Sequence, residues 1–157
     1  MIDGVAWVTA ENLHLTLKFL GGIDVVRLAL VRDALDTAVH GCSAFEFSVI
    51  GLGAFPTPSR PRVIWAGVGT AGAALEALAD RVDRALADVG FAPEQRAFSP
   101  HVTLGRVREP RRNERLADLV GGSENFGTIR VDRVSLMRSD LSPRGAKYSE
   151  ISAHLLR

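Results

Sequence analysis

Apolar residues recur at helical spacing in two stretches of the chain. One stretch spans residues 24–40 and is followed by Gly41, and the other spans residues 71–89 and is followed by Gly90. Repetition every three to four residues places apolar side chains on one face of a helix, and glycine is common just beyond a helix end. We therefore predict two helices. Their apolar positions are Leu28, Val31, Leu35 and Ala38 in the first, and Leu75, Leu78, Val82, Leu86 and Val89 in the second.

Other apolar runs are shorter or alternate with polar residues, which is typical of strands. The predicted strands are residues 5–20, a segment that begins at Phe45, residues 63–69, a segment after residue 99, and a C-terminal hairpin of residues 128–139 and 147–156. Residues 53–62 are rich in proline and glycine and are predicted to form a loop, and residues 111–120 a short helix. Because strands often follow strands directly, the order favours an α+β fold with mainly antiparallel pairing over a doubly wound parallel sheet.

The first predicted strand contains the segment NLHLTLKFLG, residues 12–21, in which a histidine and a threonine lie two residues apart. In a strand, residues i and i+2 point to the same face, so His14 and Thr16 project together while the leucines between and around them point the other way. A histidine and a threonine on the solvent face of a strand require no function, so this segment alone decides nothing.

The same tetrapeptide pattern returns in the segment SPHVTLGR, residues 99–106, where His101 and Thr103 repeat the spacing. Two of the four histidines of the chain therefore lie in His-x-Thr-Leu, separated by more than half its length. This separation is too long for the stacked units of a solenoid. It is what two similar halves facing each other across one cleft would give.

Two facing histidines suit acid–base chemistry, because an imidazole has an ordinary pKa of about 6.5 and can be neutral or charged near pH 7. One can take a proton from an attacking nucleophile while the other gives one to a leaving group. The threonine hydroxyls can donate to the oxygens of a phosphate. A phosphodiester fits this set best, with neither a metal nor a cofactor required.

Other sites fit less well. The pairs lack His-x-x-x-His spacing and threonine is a poor zinc ligand, which disfavours a zinc centre. No serine lies in a Gly-x-Ser-x-Gly turn, which disfavours a Ser-His-Asp hydrolase. A non-catalytic module that binds nucleotides or RNA stays open as an alternative, although both motifs are intact.

Length and composition indicate how many domains and disulfides to expect and where in the cell the protein is located. The chain has 157 residues and one cysteine, so we expect a single domain over residues 1–157 with no internal disulfide. No apolar run is long enough to span a bilayer, and the first residues lack the pattern of a signal peptide. We therefore expect a cytoplasmic protein without a membrane partner.

Charge is unevenly distributed although the net charge is only +1. Residues 1–60 hold four basic and six acidic residues, whereas residues 96–157 hold twelve basic and seven acidic residues. Five arginines fall in residues 106–115, which is either a solvated loop or a surface for a polyanion such as RNA.

Together, the segments HLTLKFLG and FSPHVTLGR resemble the two signature motifs of the 2H phosphoesterase superfamily. The flanking segments WVTAENLHLTLKFLG, PRVIWAGV and LMRSDLSPRGAKYSEI resemble its RNA 2′,3′-cyclic phosphodiesterase branch, also called 2′-5′ RNA ligases. The resemblance implies a bilobal fold with two pseudo-twofold-related lobes of mainly antiparallel sheet, outer helices and a central cleft. It implies metal-independent opening of a 2′,3′-cyclic phosphate of RNA or a nucleoside to a 2′-phosphate, and reversible 2′-5′ ligation.

The resemblance also implies a role for each motif residue. His14 becomes the proton donor to the leaving 3′ oxygen, and His101 the base that activates water. Thr16 and Thr103 become phosphate ligands. Arg106 is a further candidate for a phosphate contact, but strand alternation places it on the face opposite His101 unless the strand bulges or ends there.

One departure from the family pattern concerns the start of the chain. Relatives usually begin with a further strand and helix before the first motif, whereas this chain reaches His14 almost at once. Without that strand, an edge of the first lobe would be exposed, and an exposed edge can pair with another chain. We therefore expect self-association through a sheet edge.

Overall fold

The computed structural model describes residues 4–69, 72–109 and 114–157. In chain order, the elements are β1 (Val5–Trp7), a 3₁₀ turn (Ala10–Asn12), α1 (Val25–Val39), β2 (Phe45–Pro56), β3 (Pro61–Val68), α2 (Gly72–Ala87), β4 (His101–Val107), α3 (Glu114–Leu119), β5 (Asn125–Val131), β6 (Arg133–Ser142) and β7 (Gly145–Leu155). Strands follow strands directly at β2–β3 and at β5–β6–β7. The α+β prediction is confirmed.

The strands form two sheets. Five strands are arranged in the order β1-β4-β3-β2-β5, and the β1–β4, β3–β4 and β2–β3 pairs are antiparallel. The second sheet is the β6–β7 hairpin, whose register runs from Arg133 opposite Leu155 to Ser142 opposite Gly145. The predicted hairpin is therefore correct for these two strands, but residues 128–131, predicted as its first part, belong to β5 in the other sheet.

The chain divides into two compact units. Unit 1 contains the described residues of 1–16, 47–72 and 100–129, and unit 2 contains those of 17–46, 73–99 and 130–157. Both His-x-Thr motifs fall in unit 1. The expected arrangement of two lobes about a central cleft, each contributing one motif, stays a prediction.

The main hydrophobic core belongs to unit 2 and is built from the two predicted helices. Asp24 begins α1 by accepting a hydrogen bond from the backbone N–H of Arg27, and Gly41 follows its end with a φ of 77°. Glycine tolerates this left-handed conformation without steric cost. Arg81 on α2 donates to the carbonyl oxygens of Ala38 and His40 and so satisfies the last turn of α1. The buried members of the core are Val31, Ala34, Leu35, Ala38, Val39, Leu78, Val82, Leu86, Phe91, Val134, Leu136 and Leu156.

The prediction of one strand over residues 5–20 is wrong. Strand β1 ends at Trp7, a 3₁₀ turn follows, and beyond it Leu15 makes a single isolated bridge. Alternation of apolar residues over this stretch does not reveal the turn, because Ala10–Asn12 interrupts the strand without a glycine or proline to mark it.

The prediction of a loop over residues 53–62 is also wrong for most of its length. Strand β2 continues to Pro56 and β3 begins at Pro61, so only residues 57–60 connect them. Pro56 and Pro61 lie at the strand ends, where a missing N–H costs little, and Pro58 lies in the connection. Gly53 lies inside β2, where it packs against Trp65. The short helix predicted at 111–120 is present as α3, and residues 111–113 lie outside the described part, as does residue 71 of the second predicted helix.

Candidate active site

The two His-x-Thr motifs are antiparallel neighbours. Leu15 and Val102, the residues between each histidine and threonine, face each other in an antiparallel bridge. This register sets His14 beside Thr103 and Thr16 beside His101. Since Leu15 and Val102 share one face of the pair, the other four side chains share the opposite face. The structure thus brings the four predicted site residues together within unit 1.

The register also relates the two motifs by a local twofold axis. In an antiparallel pair, an axis between two directly opposed residues exchanges one strand with the other. Here that axis exchanges His14 with His101 and Thr16 with Thr103. Each histidine therefore has a threonine of the other motif as its cross-strand neighbour.

His14 is exposed, and a backbone carbonyl fixes its tautomer. Its Nδ1 lies 2.6 Å from the carbonyl oxygen of Asn12, the last residue of the 3₁₀ turn. A carbonyl oxygen can only accept, so Nδ1 carries the hydrogen. Nε2 is then the nitrogen that gains or loses a proton.

His101 is partly buried, and two aromatic rings flank it. The Phe55 ring meets the His101 ring edge to face, at 5.3 Å between centroids and 87° between planes, and the Trp65 centroid lies 6.2 Å away. Phe55 and Trp65 contact each other at 5.2 Å. These contacts restrict the orientation of the imidazole of His101.

Phe55 is not among the predicted site residues, because the proline-rich segment that contains it is predicted to be a loop. Gly53 is the feature of the sequence that could have indicated an aromatic ring at this place. A Cβ on Gly53 would lie 2.0 Å from the Trp65 ring, so only glycine leaves room for the indole. A glycine opposite a tryptophan on a neighbouring strand indicates a ring held against the backbone.

A bulge in β4 decides the position of Arg106. Ile64 pairs with Gly105, whereas Trp65 pairs with Thr103, so Leu104 is an extra residue. The extra residue reverses the alternation beyond it. Arg106 pairs with Val63, which shares its face with Trp65, and it therefore lies on the face of His101. Arg106 is a candidate for a phosphate contact only if the strand bulges or ends near it, and the bulge at Leu104 meets this condition.

Comparison with known proteins decides the family. The model of the 2′-5′ RNA ligase superfamily matches residues 3–143. The chain belongs to the 2′-5′ RNA ligase superfamily. It is 39% identical over 152 residues to an RNA 2′,3′-cyclic phosphodiesterase of Archaeoglobus fulgidus, covering 96% of this chain and 83% of that protein. It is 38% identical over 154 residues to one of Methanothermobacter thermautotrophicus, covering 97% and 83%.

Solved structures of similar proteins agree with this family fold. The crystal structure of TT0787 of Thermus thermophilus matches with a TM-score of 0.83 and 26% identity, over 99% of this chain and 84% of that one. E. coli LigT complexed with 3′-AMP matches with a TM-score of 0.76 and 24% identity, over 98% and 82%. The LigT match supports the fold.

A partly buried ion pair in unit 2 involves a residue that follows the first motif in the chain. The Lys18 ammonium pairs with the Asp83 carboxylate and donates to the carbonyl oxygen of Ala92 at 2.9 Å. Asp83 also accepts from the backbone N–H of Glu94 at 3.1 Å. The hydrogen bond from Lys18 is the main cause that lowers the pKa of Asp83. Lys18 is thereby held two residues beyond Thr16.

The other two histidines lie in unit 2. His154 is 4% exposed; its Nδ1 lies 2.5 Å from an Asp36 carboxylate oxygen, and its Nε2 lies 2.9 Å from the Ser152 hydroxyl. This chain of hydrogen bonds joins α1 to β7. His40 is exposed at the end of α1 and contributes its carbonyl oxygen to Arg81. Neither ring belongs to the motif face.

Two further findings concern metal binding and membrane crossing. Residues 4–69, 72–109 and 114–157 contain no group of three or more histidine, cysteine, aspartate or glutamate side chains arranged to hold a metal ion. Within the same ranges, none of the helices combines the length and the apolar character that crossing a membrane requires.

Proposed function

We propose that this chain hydrolyses 2′,3′-cyclic phosphates at the end of RNA or on nucleosides to 2′-phosphates, with His14 and His101 as an acid and base pair. The observation that carries the proposal is the Leu15–Val102 bridge, which sets both histidines and both threonines on one face. Relatives over 30% identical along most of their length are named RNA 2′,3′-cyclic phosphodiesterases, which supports the same activity here.

In the proposed reaction, neutral His101 takes a proton from water, and the oxygen of that water attacks phosphorus. The bond between phosphorus and the 3′ oxygen breaks, and protonated His14 gives its Nε2 proton to that oxygen. The product is a 2′-phosphate with a free 3′-hydroxyl. The two histidines end in exchanged protonation states, and exchange with solvent restores them. Positioned proton transfer of this kind contributes about 10²–10⁴-fold per group.

The other members of the face act on the phosphate. Thr16 and Thr103 donate hydroxyl hydrogen bonds to its nonbridging oxygens, and the Arg106 guanidinium balances their charge. No side chain becomes bonded to the substrate. If the 5′-hydroxyl of a second RNA replaces water as the nucleophile, the same proton transfers form a 2′-5′ phosphodiester, which is the ligation reaction.

The decisive experiment is incubation with a 2′,3′-cyclic mononucleotide in the presence of a chelator, followed by phosphorus NMR. We expect a 2′-phosphate and a rate that chelation does not change. Binding without product would favour the non-catalytic RNA-binding module, and activity lost to the chelator would indicate a metal site. The rate should have a bell-shaped dependence on pH, because one imidazole must be neutral and the other charged.

Two further expectations concern self-association and the cellular location of the protein. The β6–β7 sheet has only two strands, and β1 and β5 are the edges of the larger sheet, so edges exist through which copies of the chain could pair. We propose self-association through such an edge, which light scattering over a range of protein concentrations would test. We also propose a cytoplasmic location, supported by the single cysteine.

A further inference from the structure

Four arginines gather at one end of the five-stranded sheet. Arg62 lies at the start of β3, and Arg106 and Arg108 lie at and just beyond the end of β4. Because Val63 pairs with Arg106, the start of β3 and the end of β4 are at the same end of the sheet. Arg60 lies in the connection of residues 57–60 that leads into β3. All four are exposed, and we call this group the arginine end.

The charges of the arginine end are not neutralised within the described part of the chain. None of the four guanidinium groups has an ion pair or hydrogen bond there. Other arginines differ, since Arg84 pairs with Asp80 at 3.0 Å and Arg138 pairs with Asp140 at 3.2 Å. The next acidic residue along the chain, Glu109, makes no ion pair with them. A concentrated positive charge without internal partners favours an external polyanion.

Within the arginine end, Arg106 continues the motif face, whereas Arg62, next to Val63 in β3, projects to the opposite face. Arg108 lies beyond the reach of the reacting phosphate. Arg106 shares the face of His101 and Thr103. At about 3.3 Å per residue, Arg108 lies roughly 20 Å along the strand from His101. A cyclic mononucleotide bound at the histidines would not extend this far. A single strand of RNA, whose other phosphates follow the terminal one, would.

We propose that Arg60 and Arg108 bind the backbone phosphates of the RNA strand upstream of its cyclic end, so that the preferred substrate is an oligoribonucleotide. This inference rests on the proposed function of the motif face. Guanidinium groups bind phosphate oxygens in a bidentate manner without reading the base, so recognition should be independent of sequence. It should also be sensitive to salt, with a slope of log affinity against log salt of about −0.7 per neutralised phosphate of a single strand.

The test compares a 2′,3′-cyclic mononucleotide with a short single-stranded oligoribonucleotide that carries the same cyclic end. The variant is Arg60→Gln/Arg108→Gln. The matched control is Arg138→Gln/Arg144→Gln, which removes the same charge from exposed arginines in and beside the β6–β7 hairpin. Measurements are kcat/KM for each substrate over a range of salt concentrations, with thermal unfolding to confirm that each variant is folded.

We expect the wild-type protein and the control to favour the oligoribonucleotide, with kcat/KM falling steeply as salt rises. In the arginine variant, that preference should decrease, and the salt slope should become shallower by about 1.4 for two lost phosphate contacts. Equal losses in the variant and the control, or a wild-type protein that does not favour the oligoribonucleotide, would overturn the inference.

A binding measurement separates this inference from the proposed activity. Fluorescence anisotropy with a labelled oligoribonucleotide requires no turnover, so it reports on the arginine end even if the hydrolysis assay fails. A salt-dependent loss of affinity confined to the arginine variant supports the inference. Unchanged affinity in that variant contradicts it, whatever the outcome with the mononucleotide.

Discussion

The two His-x-Thr motifs have nearly the same sequence but are supported in different ways. The second motif lies in β4, between β1 and β3, and the ring of His101 is flanked by Phe55 and Trp65. The first motif has a single bridge to that strand, and its histidine is oriented by the carbonyl oxygen of Asn12. One motif is part of a sheet interior, and the other is positioned by residues close to it in the chain.

This difference shows that a repeated motif does not require a repeated environment. The local twofold axis requires only that Leu15 and Val102 oppose each other. Sheet pairing achieves this on one side, and on the other side the 3₁₀ turn before His14 leads into the bridge. The two sides should therefore respond differently to substitutions of their supports, although both histidines are needed for the reaction.

Removing either histidine should have the largest effect on activity. We expect His14→Ala and His101→Ala each to lower kcat on a 2′,3′-cyclic mononucleotide by about 10²–10⁴-fold, because each removes one proton transfer. Steady-state kinetics checks this, with His40→Ala as the control that removes an exposed histidine away from the motif face. Wild-type rates in both motif variants would exclude the acid and base pair.

A substrate with a nitrophenolate leaving group would separate the two roles. Such a group needs little protonation, so loss of the proton donor should matter less than loss of the base. We expect His14→Ala to recover much of its activity on this substrate and His101→Ala to remain slow. The reverse result would exchange the two assignments.

The next expected effect is on the free energy of unfolding and concerns the Lys18–Asp83 pair. In Asp83→Asn, the Lys18 ammonium loses its counter-charge, and because the Asp83 side chain is 21% exposed, we expect a loss of about 1.5–3 kcal/mol. The pKa of Asp83 is lowered in the folded state, so its stabilisation is complete above the unfolded carboxyl pKa of about 3.9 and is lost as pH falls through the lower folded value.

Urea unfolding of Asp83→Asn at neutral and acidic pH would check this ion pair. The stability deficit of the variant should be large at neutral pH and should decrease in acid, where the wild-type carboxylate is protonated. Asp80→Asn is the matched control, because Asp80 pairs with exposed Arg84 on the same helix and such pairs contribute about 0.3–0.5 kcal/mol. A deficit of equal size in both variants would contradict the special role of Asp83.

The packing of Trp65 beside His101 should be sensitive to the addition of one methyl group at Gly53. In Gly53→Ala, the new Cβ would overlap the Trp65 ring, and overpacking of this kind costs about 1–3 kcal/mol. Displacement of Trp65 should also lower kcat by disturbing His101. The control is Gly122→Ala, whose Cβ would meet no atom within 4 Å. If both variants keep wild-type kcat, the aromatic rings do not position His101.

The threonines should have the smallest effects. A neutral hydroxyl hydrogen bond contributes about 0.5–1.5 kcal/mol, so we expect Thr16→Ala and Thr103→Ala to lower kcat/KM by roughly 2- to 12-fold. Thr37→Ala, on the exposed side of α1, is the control for loss of a threonine hydroxyl. Unequal losses at the two motif positions would show which side of the twofold axis the phosphate oxygens approach.

Much of this arrangement can be predicted from local patterns. Helices α1 and α2 have the apolar spacing and glycine stops that the sequence shows, and the two motifs have the alternation that places histidine and threonine on one face. These features depend on residues close together in the chain, so a single sequence is enough to find them.

The remainder depends on contacts that local patterns do not contain. The extension of β2 to Pro56 depends on pairing with β3, and the position of Arg106 depends on a bulge that only the register against β3 reveals. Likewise, Phe55 contacts His101 across the sheet, far away in sequence. Elements whose partners are distant in the chain were therefore mispredicted or missed.

The local twofold axis has a consequence for regiochemistry. If a cyclic phosphate bound in the orientation related by that axis, the two histidines would exchange duties, the 2′ oxygen would leave instead of the 3′ oxygen, and a 3′-phosphate would result. Chemically equivalent histidines cannot by themselves choose between these isomers. The choice must come from groups that break the symmetry, and Phe55, Trp65 and Arg106 lie around the second motif. The isomeric purity of the product is thus a property of the surroundings of the catalytic pair.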